Sequence, residues 1–196
     1  MELKRICVFC GSSPGHNSTY QECAKQLGLV LAEKKMTLVY GGSNIGLMGQ
    51  IAKSVVRNGG RVIGVIPRLL VEKEVAFKEL SDLRIVDSMH ERKATMEKLS
   101  DGFIAMPGGF GTLEETIEML TWAQLKIHRK PIGLLNVEDY FERLYGFFSH
   151  MVAEGFLAED HRNMVIIEEN PARLLEKMEN FTPLSVSKWL GSNIKV

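Results

Sequence analysis

Short, almost wholly apolar runs alternate with longer amphipathic stretches along the 196 residues, and this alternation narrows the fold more than any other feature of the chain. The apolar runs fall at residues 5–9, 37–40, 61–66, 83–86, 102–106, 131–135 and 164–167. RVIGVI and GFIAM lack the in–out alternation of a strand with one wet face, so they read as strands covered on both sides. Between the runs, the patterning predicts helices over 19–33, 47–57, 89–99, 112–126, 137–154 and 171–179. In the fourth of these, Leu113, Ile117, Leu120 and Gln124 recur at helical spacing and form one mostly apolar stripe. Strand–helix–strand units joined by short links require right-handed crossovers and a parallel sheet. The expected architecture is a single α/β domain over residues 1–181, a doubly wound parallel sheet flanked by helices, followed by a polar tail at 182–196.

Composition bounds the class. Twenty-four Lys and Arg balance 24 Asp and Glu, so the chain lacks the basic footprint of a protein that works mainly on nucleic acid. No apolar run approaches the ~18 residues of a membrane span. The start, MELKRICVFCGSS, has too short an apolar stretch for a secretory leader. The expectation is a soluble, cytoplasmic protein with no nucleic-acid or membrane partner. A chain of this length buries about 70% of its unfolded surface and needs no metal or disulfide to hold it together. The three cysteines agree, being an odd number. Cys7 and Cys10 form a C-x-x-C, but inside the strand run ICVFC, where residues three apart face opposite sides. Redox and metal-binding pairs sit instead in a turn that opens a helix, so these two read as buried strand residues.

The chemistry is expected where strands end, because open parallel sheets bind ligands at their carboxyl edge near the switch in strand order. Three of those ends are rich in small residues: Cys10-Gly11-Ser12-Ser13-Pro14-Gly15, Gly41-Gly42-Ser43-Asn44-Ile45-Gly46 and Pro107-Gly108-Gly109-Phe110-Gly111-Thr112. Glycine lets backbone approach a ligand, and the N–H groups that open the next helix favour an anion. One such loop is ordinary turn chemistry; three on one edge favour a phosphate-bearing ligand. A dinucleotide or a hydrolysed ATP fits these loops poorly. The first loop lacks G-x-G-x-x-G spacing, no carboxylate follows Tyr40-Gly41, and no Gly-Lys dipeptide occurs anywhere. The five histidines (16, 90, 128, 150 and 161) show no metal-ligand spacing, so no metal site is expected.

Two clusters carry more. In Ser88-Met89-His90-Glu91-Arg92-Lys93, Ser88 and Glu91 read as a capping box that opens a helix at Met89. Arg92 and Lys93 then oppose the dipole of that helix. They are either a solvated charge pair or a fork for phosphate or carboxylate. In Thr112-Leu113-Glu114-Glu115 the T-x-x-E spacing is again a capping box, which gives Glu115 an ordinary structural role. Yet Glu115 also stands one turn past Gly111, on the same helix face, where a carboxylate can stabilise an oxocarbenium ion or orient water. Glu114 points about 100° away, toward the surface. Met89, Met96, Met106 and Met119 read as core or interface filler rather than as a ligand surface.

At these residues the chain resembles the Lonely Guy family, the cytokinin riboside 5′-monophosphate phosphoribohydrolases. The family's P-G-G-x-G-T-x-x-E motif is intact at Pro107–Glu115, its S-M-H-E-R-K-A motif at Ser88–Ala94, and a matching G-G-S-N-I-G-L-M-G run at 41–49. The resemblance extends from Ile6 to about Arg173 and implies a homodimeric, Rossmann-like enzyme that needs no cofactor. It implies hydrolysis of the N-glycosidic bond of an N6-modified adenosine monophosphate, N6-isopentenyl-type or AMP itself, to free base and ribose 5-phosphate. Arg92 and Glu115 are then the catalytic pair. Gly108, Gly109, Phe110, Gly111, Thr112, Leu113 and Glu114 cradle the nucleotide together with Glu115. Lys93, Glu74 and Thr121 match further substrate contacts. Family members also carry a lysine decarboxylase label, but nothing in these residues argues for pyridoxal phosphate. The competing classes are a non-catalytic carrier of a nucleotide or of molybdenum cofactor, and a transferase that uses the same cradle.

Overall fold

Seven strands form one parallel sheet in the order β4-β3-β2-β1-β5-β6-β7. They are β1 (Arg5–Phe9), β2 (Thr37–Tyr40), β3 (Val62–Pro67), β4 (Asp82–Val86), β5 (Gly102–Ala105), β6 (Ile132–Leu135) and β7 (Val165–Glu168). The computed structural model describes residues 2–71, 73 and 76–183. From β1 the chain steps outward through β2 and β3 to β4, then crosses back so that β5 pairs with the free side of β1. Cys7 accordingly has Val39 on one side and Phe103 on the other. The gap between the loops that leave β1 and β5 is therefore the point where strand order reverses, the ligand crevice of such sheets.

Helices α1 (Ser18–Glu33), α2 (Gly46–Arg57) and α7 (Pro171–Glu179) cover one face, while α3 (Met89–Leu99), α4 (Phe110–Gln124) and α5 (Glu142–Ala153) cover the other; a short α6 spans Glu159–Arg162. Ile6, Val8 and Ile104 pack toward α1 and α2. Cys7, Phe9 and Phe103 pack toward Met96 of α3 and Met119 of α4. The expected divergence of Cys7 and Cys10 is thus observed, one in each of these two cores. Burial, and then the charge of Glu115, pushes both thiols well above the ordinary range. Strand limits agree with the sequence reading to within a residue, and no helix of the described residues is long and apolar enough to cross a membrane.

One predicted helix breaks. The segment 137–154 is a 3-10 turn at Val137–Asp139 followed by α5, which starts only at Glu142. Glu138 and Asp139 hold φ of 52° and 55°, and the buried Asn136 side chain accepts the Phe141 N–H at 2.7 Å. This local side-chain bond competes successfully with a continuous helix. The tail reading at 182–196 lies, from residue 184 onward, outside the described residues.

Candidate active site at the switch point

The loop after β5 leads straight into α4, with Gly109 as the N-cap and no side chain capping it. The first bond to close is Leu113 N–H to the Gly109 carbonyl at 3.2 Å. The amides of Phe110, Gly111 and Thr112 are therefore the unpaired donors that every helix N-terminus carries. The glycines differ in purpose. A Cβ at Gly108 would lie 2.1 Å from Thr112 Oγ1, so packing demands glycine there. A Cβ at Gly109 or at Gly111 would meet nothing within 4 Å, and neither has a positive φ. Nothing in the fold requires glycine at these two positions; they leave open space beside the amides.

The expected capping box at Thr112 does not form. Because α4 begins two residues earlier, Thr112 already lies in the first turn and Glu115 falls in the second, past the amides that a cap serves. Glu115 is instead buried, 8% exposed, with its carboxylate turned to α3.

On α3 the cap forms as expected: Ser88 Oγ accepts the Glu91 N–H at 3.1 Å, and Glu91 Oε2 accepts the Asp87 N–H at 2.8 Å. This start directs Arg92 inward, where it is 5% exposed. The solvated alternative for Arg92 and Lys93 is thereby overturned, since both are buried. Arg92 Nε donates to the Val65 carbonyl at 3.2 Å and Nη2 to the Gly41 carbonyl at 3.1 Å. A Cβ at Gly41 would come within 2.1 Å of Nη2, so that glycine exists to seat the guanidinium. With two nitrogens held by main chain at the ends of β2 and β3, Nη1 reaches 3.9 Å from Glu115 Oε1. That is too long for a hydrogen bond. The pair faces one cavity of about 300 Å³ without closing on itself.

Gly11, Ser12, Gly109, Phe110, Gly111, Thr112 and Glu114 form the polar part of that cavity, while Met48, Leu70, Met89 and Met96 give it an apolar wall. Met106 and Met119 are core, as expected, whereas Met89 is exposed at the rim and Met96 is both core and wall. Phe110 stands 92% exposed at the mouth. Leu113 turns away and packs against the core under α5. Lys93 is not among the lining residues. Its Nζ is held by Glu114 and, at 3.1 Å, by Glu118 Oε1, so it ties α3 to α4. Burial alone would lower its pKa, but the hydrogen bonds and charges of the two glutamates outweigh this and raise it. Thr121 lies farther along α4, donates to the Ile117 carbonyl at 2.8 Å, and lines a separate groove. Glu74 lies outside the described residues.

The three glycine-rich loops are not equivalent. In the second, Gly41 seats Arg92, Gly42 (φ 80°) packs on Ile66, and Gly46 (φ 59°) lies against the Ser12 backbone. Its glycines answer packing demands, and Gly41 also lines the cavity. The first loop is bound to both others, through Gly11 N–H to the Pro107 carbonyl and Leu47 N–H to the Gly11 carbonyl, each 3.0 Å. Sequence reasoning passed over the main-chain seat of Arg92 and the apolar wall. The advance signals were the Gly41-Gly42 pair for the seat, and Met89 and Met96, read as filler, for the wall. A pyridoxal phosphate would need a lysine amine for its Schiff base. Among the described residues no lysine lines the cavity and Lys93 is engaged elsewhere, so these residues do not fit that group.

Residues 48–178 match the family model described as "Possible lysine decarboxylase". The chain is 48% identical over 181 residues to the cytokinin riboside 5′-monophosphate phosphoribohydrolase LOG of Oryza sativa subsp. japonica, covering 92% of this chain and 75% of that one. It is 47% identical over 182 residues to the cytokinin riboside 5′-monophosphate phosphoribohydrolase LOG1 of Arabidopsis thaliana, covering 93% and 85%. Among solved structures, the molybdenum cofactor binding protein of Rippkaea orientalis matches with a TM-score of 0.66 at 23% identity, over 92% of this chain and 98% of that one. The molybdenum cofactor carrier protein of Chlamydomonas reinhardtii matches with a TM-score of 0.68 at 19% identity, over 92% and 100%. At such identities the structural likeness carries the fold alone. Identity near one half over nine-tenths of the chain, with both motifs intact, decides the relationship: this protein belongs to the Lonely Guy family of cytokinin riboside 5′-monophosphate phosphoribohydrolases.

Proposed function

We propose that this protein hydrolyses the N-glycosidic bond of adenosine 5′-monophosphates, N6-modified ones and AMP itself, releasing the free base and ribose 5-phosphate. The observation that carries the reading is the buried Arg92–Glu115 pair, 3.9 Å apart on the wall of a cavity that also holds the uncapped start of α4. The 5′-phosphate takes the amides of Gly109 to Thr112, a helix N-terminus with the polarity for an anion. That contact fixes the ribose over the second turn of α4. Water supplies hydroxide to C1′ and a proton to the departing base. Glu115 stabilises the positive charge that develops at C1′ and orients the water, the task of a carboxylate beside a glycosidic bond. Arg92, whose two main-chain bonds leave Nη1 toward the cavity, holds the substrate in the field of the pair. Gly108 and Leu113 support the cradle, Glu114 closes its rim, and Met48, Leu70, Met89 and Met96 offer an apolar seat for an N6 substituent. Lys93 acts through Glu114 in a single chain. Thr121, remote from the cavity, reaches substrate only across a contact with a second copy, and we infer a cytoplasmic homodimer.

Incubation with N6-isopentenyladenosine monophosphate, and separately with AMP, tests the reading directly. Free base and ribose 5-phosphate in equal amounts are expected without any added acceptor. Nucleotide that binds but stays intact would make the protein a carrier. Product that forms only when an acceptor is present would make it a transferase.

A further inference from the structure

The turn after β6 holds a backbone conformation that its residues disfavour, and what it delivers lands on the glycine loop of the site. Glu138 and Asp139 occupy the left-handed region in succession, where a Cβ crowds the following carbonyl. Such geometry persists only where the surroundings over-determine it. Here Asn136 does so, with Oδ1 accepting the Phe141 N–H at 2.7 Å and Nδ2 lying 3.4 Å from Asp139 Oδ1. The residue this turn presents is Tyr140. Its ring stands edge-on to Phe141 at 5.1 Å and to Tyr20 at 5.8 Å, and its hydroxyl donates to the Gly108 carbonyl. Together with Ser12, Ser13 and Tyr20 it lines a second cavity of about 270 Å³, which borders the first at Gly11, Ser12 and Gly109.

The Gly108 carbonyl and the Gly109 N–H belong to one planar trans peptide, so they point in opposite directions. Gly108 is packed tightly against Thr112 and the Gly11 backbone, but a Cβ at Gly109 would touch nothing within 4 Å, so side-chain packing holds this peptide on its Gly108 side only. We propose that Tyr140 is a positioning residue for the nucleotide phosphate: by tethering the Gly108 carbonyl it keeps the Gly109 N–H turned to the side of the α4 amides and away from the second cavity. The ligand chemistry is that of a phosphate monoester, and the inference rests on the hydrolase reading above. Tyr140 touches neither base nor C1′, so its effect belongs to the phosphate-bearing half of the ligand.

The test compares wild type, Tyr140→Phe and, as a control, Tyr20→Phe, which removes a hydroxyl from the same cavity without touching Gly108. For each, KM and kcat for N6-isopentenyladenosine monophosphate are measured, along with inhibition constants for ribose 5-phosphate and for the free base. In Tyr140→Phe, KM and the ribose 5-phosphate constant should rise about threefold to tenfold, the size of one lost hydrogen bond. Its kcat, its constant for the free base and its melting temperature should match wild type, and Tyr20→Phe should match throughout. An unchanged ribose 5-phosphate constant in Tyr140→Phe overturns the tether. So does a parallel loss for base and sugar phosphate with a lowered melting temperature, which marks a merely structural tyrosine. Failure of the wild-type chain to release base would instead sink the hydrolase reading, and is distinguishable because it precedes any comparison of variants.

Discussion

Glu115 and Arg92 are buried charges of opposite sign that stop short of a hydrogen bond. Stability alone gives little reason for such a pair, since desolvation offsets much of the attraction and an apolar pair of similar volume does as well. The proposed chemistry gives one, because both groups line the same cavity. Glu115→Gln keeps the shape and removes the charge, and Arg92 retains both main-chain acceptors. We expect a folded variant that binds nucleotide about as wild type does, with kcat lowered about 10²- to 10³-fold, the usual loss for one charge-stabilising or proton-handling group. Single-turnover assays beside nucleotide titration measure both halves. Near wild-type turnover would remove Glu115 from the chemistry. The sequence offered these two residues but not the choice between roles, because T-x-x-E spacing fits a cap and a catalytic carboxylate equally. The start of α4 two residues earlier removes the cap.

At the scale of the element, the start of α4 carries glycines at some cost to the helix. A glycine in a helix costs up to about 1 kcal/mol relative to alanine, and Gly111 has neither the positive φ nor the crowding that would justify it. Gly111→Ala should therefore raise the melting temperature by about 2–4 °C for a domain of this size. The same change should weaken nucleotide binding, because the added methyl occupies the open space beside the amides. Thermal melts with and without nucleotide read both effects; a more stable variant with undiminished affinity would mean that no ligand approaches there. Most elements were legible: all seven strands start within one residue of their apolar run and α3 and α7 match to the residue, because doubly covered strands and side-chain caps are written locally. The segment 137–154 was not, since its periodicity is helical and the break comes from Asn136 bonding back to Phe141.

Across the whole molecule, one buried histidine couples packing to pH. His128 lies against Phe103 with its ring centroid 5.2 Å away, and Nδ1 accepts the Lys130 N–H at 3.2 Å. Burial first, and then the charge of Lys130, lower its pKa from 6.5 to about 4, while Glu97 and the Met119 backbone pull weakly the other way. Between these values the unfolded chain takes up a proton that the folded one refuses, so stability falls as pH drops from about 6.5 toward 4 and is unaffected above that window. The loss should be of the order of 1–2 kcal/mol, allowing for partial solvent access. Melting temperatures at pH 7 and pH 5 for wild type and His128→Gln check it; the gap between the two pH values should narrow in the variant. A gap of equal size would assign the acid sensitivity to other groups. Local patterning by itself determined the parallel α/β sheet, the capped start of α3 and the placement of Cys7 and Cys10 in opposite cores, since each depends on periodicity or on neighbours within a turn. Only the tertiary structure decided that Gly41 seats an arginine, that Lys93 braces two helices, and that Tyr140 reaches the glycine loop, because each joins residues between about 20 and 50 positions apart that meet only once the sheet has assembled.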